Sequence, residues 1–255
     1  MKMLSLIRKI FKKSPCVAYR LPPGSRVYAV GDIHGRADLL KNMHRLIEKD
    51  AACDPVQENV LVYLGDYIDR GLYIREVLDM LCFDGLPGFR RVFLKGNHEE
   101  MMLDFLENPE LLETWVQLGG QATLMSYGVK VSSSDFSRDM AETAKKSLID
   151  ALPSEHLSFL KRLKVCFELG NYLFVHAGIK PGKSLSEQVP EDLLWIREDF
   201  LSCDEYFEAR IVHGHSIVSR PEILPNRINV DTGAYASGKL SCVVLEENRA
   251  RMLIT

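Results

Sequence analysis

Six short β-rich runs in this chain each end, close to a glycine, in carboxylates, imidazoles or a carboxamide. Arg26–Val30 leads into Gly31-Asp32-Ile33-His34-Gly35, and Asn59–Leu64 into Gly65-Asp66-Tyr67-Ile68-Asp69-Arg70-Gly71. Phe89–Leu94 is followed by Gly96-Asn97-His98-Glu99. Later runs reach His176-Ala177-Gly178, His213-Gly214-His215 and Asp231-Thr232-Gly233. In an open α/β sheet the carboxyl ends of the strands face a common crevice, so these groups are expected to converge. That requirement points to a layered α/β architecture.

Between the first three runs the apolar spacing is helical. Leu39, Leu40, Met43, Leu46 and Ile47 share one face, as do Ile74, Val77, Leu78 and Leu81. This βαβαβ alternation predicts a mostly parallel inner sheet with helices outside. Residues 99–163 keep helical spacing with few strand signals, which predicts a helical insertion. Its stripe of Met101, Met102, Trp115, Leu118, Leu124, Met125 and Tyr127 reads as core more readily than as a substrate groove. Because it leaves the chain right after the Asn97 loop, it should still overhang the crevice. Strands return at Val165–Leu169, Tyr172–His176, Ala209–Val212, Arg227–Val230, Lys239–Leu245 and Arg251–Ile254. Turns such as Gly170-Asn171 predict antiparallel pairing among them.

Charge divides the chain unevenly. Residues 1–26 hold seven of the 32 basic side chains and no acidic one, leaving 25 basic against 35 acidic elsewhere, a balance of −10. An acidic body argues against nucleic-acid partners and against a nuclease. Residues 1–25 read as a basic appendage ending at Pro22-Pro23-Gly24, with the domain proper at residues 26–255. Met3, Leu4, Ile7, Ile10 and Phe11 lie near one helical face, so residues 1–13 could make weak peripheral contact with an anionic membrane surface. The simpler reading is a frayed or packed terminus. Arg8 interrupts the apolar core that a secretory signal needs. No apolar run approaches the roughly 18 residues of a spanning helix. Six cysteines without a Cys-x-x-Cys pair read as reduced, mostly buried thiols of a cytoplasmic protein.

Carboxylates crowded into one crevice repel one another, so a positive centre is expected among them. Mixed Asp, His and Asn donors suit manganese, iron or zinc better than magnesium or calcium. For any single Asp or His the simpler reading is a helix cap or a hydrogen-bonded core group. All of them together, each placed after a strand, favour a metal site.

GDIHG, GDYIDRG, GNHE, HAG, GHS and DTGA, in that order, resemble the calcineurin-like metallophosphoesterase superfamily. GDxxDRG followed by GNHE resembles its phosphoprotein phosphatase branch. Trp195-Ile196-Arg197-Glu198, and Trp115 ahead of Gly119-Gly120, are similar to the bacteriophage lambda-type and bacterial serine/threonine protein phosphatases. The resemblance runs from Arg26 to Leu245, apart from the interior of the insertion. It implies a four-layer αββα sandwich with a helical insertion and a pair of divalent metal ions, manganese first, with iron or zinc as alternatives. Asp32 and His34 would hold one ion, Asp66 would bridge, and Asn97, His176 and His215 would hold the other. His213 is ambiguous, although the motif's ligand stands between Gly and Ser, as His215 does.

The activity so implied is phosphomonoester hydrolysis of serine and threonine phosphoproteins or phosphopeptides, with phosphotyrosine open as a further substrate. Solvent activated between two metals about 3.5–4 Å apart would attack phosphorus in line, without a covalent phosphoenzyme. Arg70, Arg197 and Asn97 would bind the phosphate, the guanidiniums in bidentate fashion. His98 would be the general acid for the leaving alkoxide. Asp69 would orient it, and is expected to raise its pKa. Two other readings compete: a dinucleoside tetraphosphate hydrolase using the same metals, and a non-catalytic metal-binding interaction module. Asp69-Arg70-Gly71 and Asn97-His98-Glu99 weigh against the first, and the complete ligand set against the second.

Overall fold

The computed structural model describes residues 19–132 and 136–255. The amphipathic stretch at residues 1–13 lies outside that range. In chain order, β1 (Ser25–Val30), α1 (Ala37–Cys53), β2 (Glu58–Tyr63), α2 (Ile74–Phe83) and β3 (Phe89–Phe93) alternate. Five α-helices follow among the described residues: α3 (Asn97–Glu107), α4 (Leu112–Trp115), α5 (Gln121–Ser126), α6 (Arg138–Ala151) and α7 (Ser154–Lys161), with a 3₁₀ turn at Pro109–Leu111 and a π-helical turn at Val116–Gly120. Then come β4 (Cys166–Leu169), β5 (Tyr172–Val175), α8 (Pro190–Trp195), α9 (Glu198–Leu201) and β6 (Arg210–His213). The chain closes with β7 (Glu222–Ile223), β8 (Arg227–Asn229), α10 (Ala234–Ser237), β9 (Ser241–Glu246) and β10 (Arg249–Ile254).

These strands make two five-stranded sheets, ordered β10-β9-β1-β2-β3 and β4-β5-β6-β8-β7. β1, β2 and β3 are parallel, while β9 and β10 join that sheet antiparallel. In the second sheet β4–β5 and β7–β8 are antiparallel, as their short turns require. β5, β6 and β8 run parallel, against the antiparallel expectation for the later strands. The reason is connection length: α8 and α9 fill one crossover, and residues 214–226 make the other, long enough for the chain to return in the same direction.

Side-chain alternation along each strand separates three apolar interfaces. Val27, Ala29, Val60, Val62, Val243 and Leu245 of the first sheet meet Tyr172, Phe174, Val212 and Ile228 of the second. Their neighbours Tyr28, Val30, Leu61, Tyr63 and Val244 face Leu40, Met43, Ile47, Val77 and Leu78 of α1 and α2. On the far side Leu173, Val175 and Ile211 pack against Leu193 of α8 and Phe200 of α9. Helix, sheet, sheet, helix is the four-layer αββα sandwich. Full burial of each large aliphatic side chain contributes about 1.5–3 kcal/mol, so a register slip in any central strand would be costly.

The helices between β3 and β4 pack Met102, Phe105, Trp115, Leu124 and Tyr127 into the same core as α1 and α2, whereas Met125 is exposed. α3 begins at Asn97 itself rather than at Glu99. The amino-terminal boundary also differs from expectation. Tyr19 and Leu21 are buried in the core between the sheets, and the Leu21 N–H bonds to the Glu247 carbonyl at 3.0 Å. Pro22-Pro23-Gly24 is thus a turn within the fold, because the apolar residues before it find a place between the layers. Of the described cysteines only Cys242 is buried, and all five are free thiols. No helix among the described residues is long and apolar enough to cross a membrane.

Candidate metal centre

Parallel pairing of β1, β2 and β3 opens three strand ends at one edge. The loop after β1 carries Asp32 and His34, and the loop after β2 carries Asp66, Asp69 and Arg70. Asn97 and His98 form the first turn of α3. The second sheet brings His176 after β5, His213 and His215 at the end of β6, and Asp231 after β8. Every one of these except the half-buried Arg70 is buried. A Cβ on Gly96 would collide with the Asp66 carboxylate, which is why glycine stands there.

The backbone of this rim is unusual. Of six non-glycine residues with positive φ among the described residues, five are His34 (44°), Asp66 (51°), Asp69 (67°), Arg70 (65°) and His215 (64°). Such left-handed conformations cost roughly 1–3 kcal/mol each and persist only where the surroundings over-determine them. Glu99 supplies part of that constraint. Its buried carboxylate accepts from the N–H groups of Gly96 (2.8 Å), Asp66 (2.9 Å), Tyr67 (2.7 Å) and Ile68 (3.2 Å). It therefore closes the β2 loop onto the start of α3.

Two groups of donor atoms form, each within 4.8 Å of one another: His34, Asp66 and His98, and Asp66, His176 and His215. Asp66 belongs to both. The imidazoles are aimed by the backbone. His34 Nδ1–H donates to the Ile68 carbonyl (2.7 Å) and His176 Nδ1–H to the Leu64 carbonyl (2.9 Å), which leaves each Nε2 a bare lone pair. His34 Nε2 is buried without a partner, 3.4 Å from Asp66 Oδ2. His176 Nε2 faces Asn97 Oδ1 at 2.9 Å and Asp66 Oδ1 at 3.4 Å. Imidazole lone pairs buried against oxygen acceptors, with the Nε2 atoms of His34 and His215 left without a partner, are what a cation relieves, so the residues present fit a metal centre. Burial and neighbouring carboxylates, Asp231 for Asp32 and Glu99 for Asp66, hold both of these carboxyls well above their usual range. Positive charge placed among them would reverse that.

Two placements and the direction of one pKa depart from the sequence reading. Asp32 joins neither group; both its oxygens accept from the His215 N–H (3.2 and 3.1 Å). His98 stands within ligand distance, but its lone pair is taken: Arg70 Nη2–H donates to Nε2 at 2.9 Å, while Nδ1–H donates to Asp69 at 2.7 Å. Burial, followed by the charges of Arg70 and Arg197, pushes the His98 pKa down to about 3. The expected rise from Asp69 is therefore outweighed. Asp69 itself is pushed up to about 7 by burial, opposed by hydrogen bonds and by Arg70.

Arg197 donates to the His215 carbonyl (3.3 Å) and so reaches the rim, and Asn97 Oδ1 also meets His215 Nδ1 at 2.9 Å. His213 stays apart, edge-on to Phe200, with Nδ1 on the Gly214 carbonyl. Several contributors were not assigned from sequence. Trp115 Nε1–H donates to Asp69 Oδ2 (3.0 Å) and the Thr123 hydroxyl to Oδ1 (2.5 Å), while Thr123 Oγ1 accepts from the Asp69 N–H (3.0 Å). Asp231 lies against Asp32, and Tyr235 sits under the Arg70 guanidinium, 4.9 Å away. Trp115, Glu99 and Asp231 each stand in a noted motif that gave no role, whereas nothing in the sequence marks Thr123.

The model of the calcineurin-like phosphoesterase family matches residues 25–254, and the chain belongs to that family. Among its relatives, serine/threonine-protein phosphatase 2 of Escherichia coli K12 is 28% identical over 231 residues, 84% of this chain and 90% of that protein. The bis(5'-nucleosyl)-tetraphosphatase PrpE of Anoxybacillus flavithermus is 23% identical over 236 residues, 84% and 88% of the two chains. A crystal structure described as a "putative diadenosine tetraphosphatase" superposes with a TM-score of 0.63 at 19% identity, over 92% of this chain and 98% of the other. That last likeness shows the shared fold.

Proposed function

We propose that this phosphoesterase is a two-metal phosphomonoesterase acting on phosphoserine and phosphothreonine in proteins or peptides, with phosphotyrosine as a secondary substrate. The observation carrying this reading is the hydrogen-bonded line Arg70–His98–Asp69 beside Asp66. A seryl or threonyl alkoxide is a poor leaving group, for which a positioned acid contributes about 10²–10⁴-fold. A nucleotide expelled from a polyphosphate is already stable as an anion and gains little from one.

Asp66 would be shared between two ions, His34 and Asp32 completing one side and Asn97, His176 and His215 the other; Asp32 can turn one oxygen away from the His215 amide. When bound, two divalent cations, manganese ahead of iron or zinc for this donor set, would offset phosphate charge and acidify a water. Arg70 and Arg197 would take phosphate oxygens through paired N–H groups. As Arg70 turns to the phosphate, its charge no longer opposes protonation of the ring, so His98 Nε2 can take a proton from solvent and pass it to the leaving oxygen. Asp69 keeps Nδ1–H throughout and fixes the ring.

Dinucleoside tetraphosphate hydrolysis is the second reading, supported by relatives bearing that name. Metal titration followed by kcat/KM on p-nitrophenyl phosphate, phosphopeptides and diadenosine tetraphosphate separates them. Phosphoserine and phosphothreonine peptides are expected to lead the tetraphosphate by about tenfold or more in kcat/KM. The reverse order would assign the site to nucleotides. Bound metal with no turnover on any substrate would favour a binding module.

A further inference from the structure

A cavity of about 670 Å³ opens beside β3 and shares no residue with the metal centre. Its apolar lining comes from Val92 and Phe93 of β3, Leu81 and Phe83 of α2, Phe159 of α7, and Leu163. Phe83 is 60% exposed, an unusual position for so large an apolar ring. Three cations surround it, Arg91, Arg162 and Lys164, against the single carboxylate of Glu155. Arg26, Arg36, Arg90, Lys180, Lys183 and Arg251 each have a carboxylate partner. The three cavity cations have none among the described residues. Arg91 donates instead to the carbonyls of Leu81 and Asp84, and Arg162 to that of Ser158. Three cations beside one carboxylate give this apolar cavity a positive balance within a body of ten-charge acidic excess.

The backbone supplies a further cue. β3 is the edge strand of its sheet. The Phe93 carbonyl points away from β2 and accepts from Lys164 N–H (3.0 Å), whereas Leu94 N–H turns back to Tyr63 (2.9 Å). Strand alternation puts the N–H and C=O of Arg91 on the same open side as the Phe93 carbonyl. The Leu94–Lys164 bridge shows that this edge already takes another chain segment in parallel.

We propose that the cavity docks an acidic peptide segment bearing a bulky apolar anchor residue. The segment lies as a short strand along the Arg91–Phe93 edge, its anchor among Phe83, Phe93 and Phe159 and its carboxylates toward Arg162 and Lys164. Edge pairing gives affinity, while the apolar pocket and the cations give selectivity. The proposal does not depend on which phosphate ester the metal centre cleaves.

Fluorescence anisotropy of a labelled peptide of alternating Glu and Phe, titrated with the full chain, tests it. Saturable binding is expected, weakening with added salt, with hydrogen exchange slowed at the Arg91 and Phe93 amides. The double variant Arg162→Glu, Lys164→Glu should bind about tenfold more weakly, and a peptide of alternating Lys and Phe should do no better. Arg162→Ala, a milder change, should give a smaller loss in the same direction. Turnover of p-nitrophenyl phosphate should be the same in every variant, so a chain without phosphatase activity leaves the docking measurement intact. No binding, equal binding by the charge-reversed chain, or equal binding of the Lys/Phe peptide would overturn the proposal. So would displacement by decanoate without amide protection at β3, the signature of a small amphiphile.

Discussion

The strand-end rim of the sandwich and the helices after β3 both reach the metal centre, but they contribute different things. The rim supplies nearly all the metal-facing donors, and its backbone is bent into left-handed turns to do so. Beyond the first turn of α3, the helical stretch offers neither donor group an atom. It instead surrounds the Arg70–His98–Asp69 line: Trp115 and Thr123 grip Asp69, and the Gly119 carbonyl takes the Arg70 N–H at 3.2 Å. The helical stretch thus braces Asp69 and Arg70 without offering a metal donor, and substitutions ought to separate that bracing from the donor set.

The largest effect is expected at the residue common to both donor groups. Asp66→Ala should empty both positions and lower turnover by roughly a thousandfold or more, as the loss of several kcal/mol of metal stabilisation implies. Elemental analysis beside a p-nitrophenyl phosphate assay checks it, and full metal content would break the comparison. His98→Asn should retain metal yet lose about 10²–10⁴-fold in kcat on a phosphoserine peptide. The loss on p-nitrophenyl phosphate should be far smaller, since nitrophenolate scarcely needs a proton; equal losses would remove His98 from the acid role. Thr123→Val tests the helical side alone. It removes the hydroxyl from Asp69, and kcat on the peptide should fall about tenfold, the usual worth of a hydrogen bond to a charged group, with KM and metal content unchanged. A fall in metal content instead would show that the two regions are not separable.

The smallest effect is on stability, away from the site. Burial pushes the His44 pKa down to about 4, its ring hydrogen-bonded to the Tyr63 hydroxyl at 2.8 Å. The unfolded chain then binds the extra proton first. This residue's contribution is intact above the ordinary histidine range, near pH 6.5, and is lost as pH falls toward 4. Chemical denaturation of His44→Gln across that window should show a flatter pH dependence than the parent chain. An identical slope would exclude His44 as its source.

Much of this arrangement was legible in the sequence because it is local. A strand, a glycine and a polar residue are neighbours along the chain, so the ends of β1, β2, β3, β5, β6 and β8 could be read directly. Pairing direction in the second sheet was not, since it depends on where a crossover lands rather than on the strands themselves. The two-residue β7 is too short to carry a pattern. Thr123 stands 54 residues from Asp69, and only the packed helices bring them together. The net direction of the His98 pKa is not legible in the sequence, which shows its carboxylate partner but neither its depth nor the guanidinium on its other nitrogen.

The left-handed turns at His34, Asp66, Asp69, Arg70 and His215 also bear on transplantation. Grafting these loops onto another sheet would have to carry torsion angles as well as side chains, because a relaxed loop would aim the same groups elsewhere. At these positions asparagine and glycine are the gentle replacements, whereas valine and isoleucine resist the twist. A library that ignores this would spend most of its members on chains that cannot take the required shape.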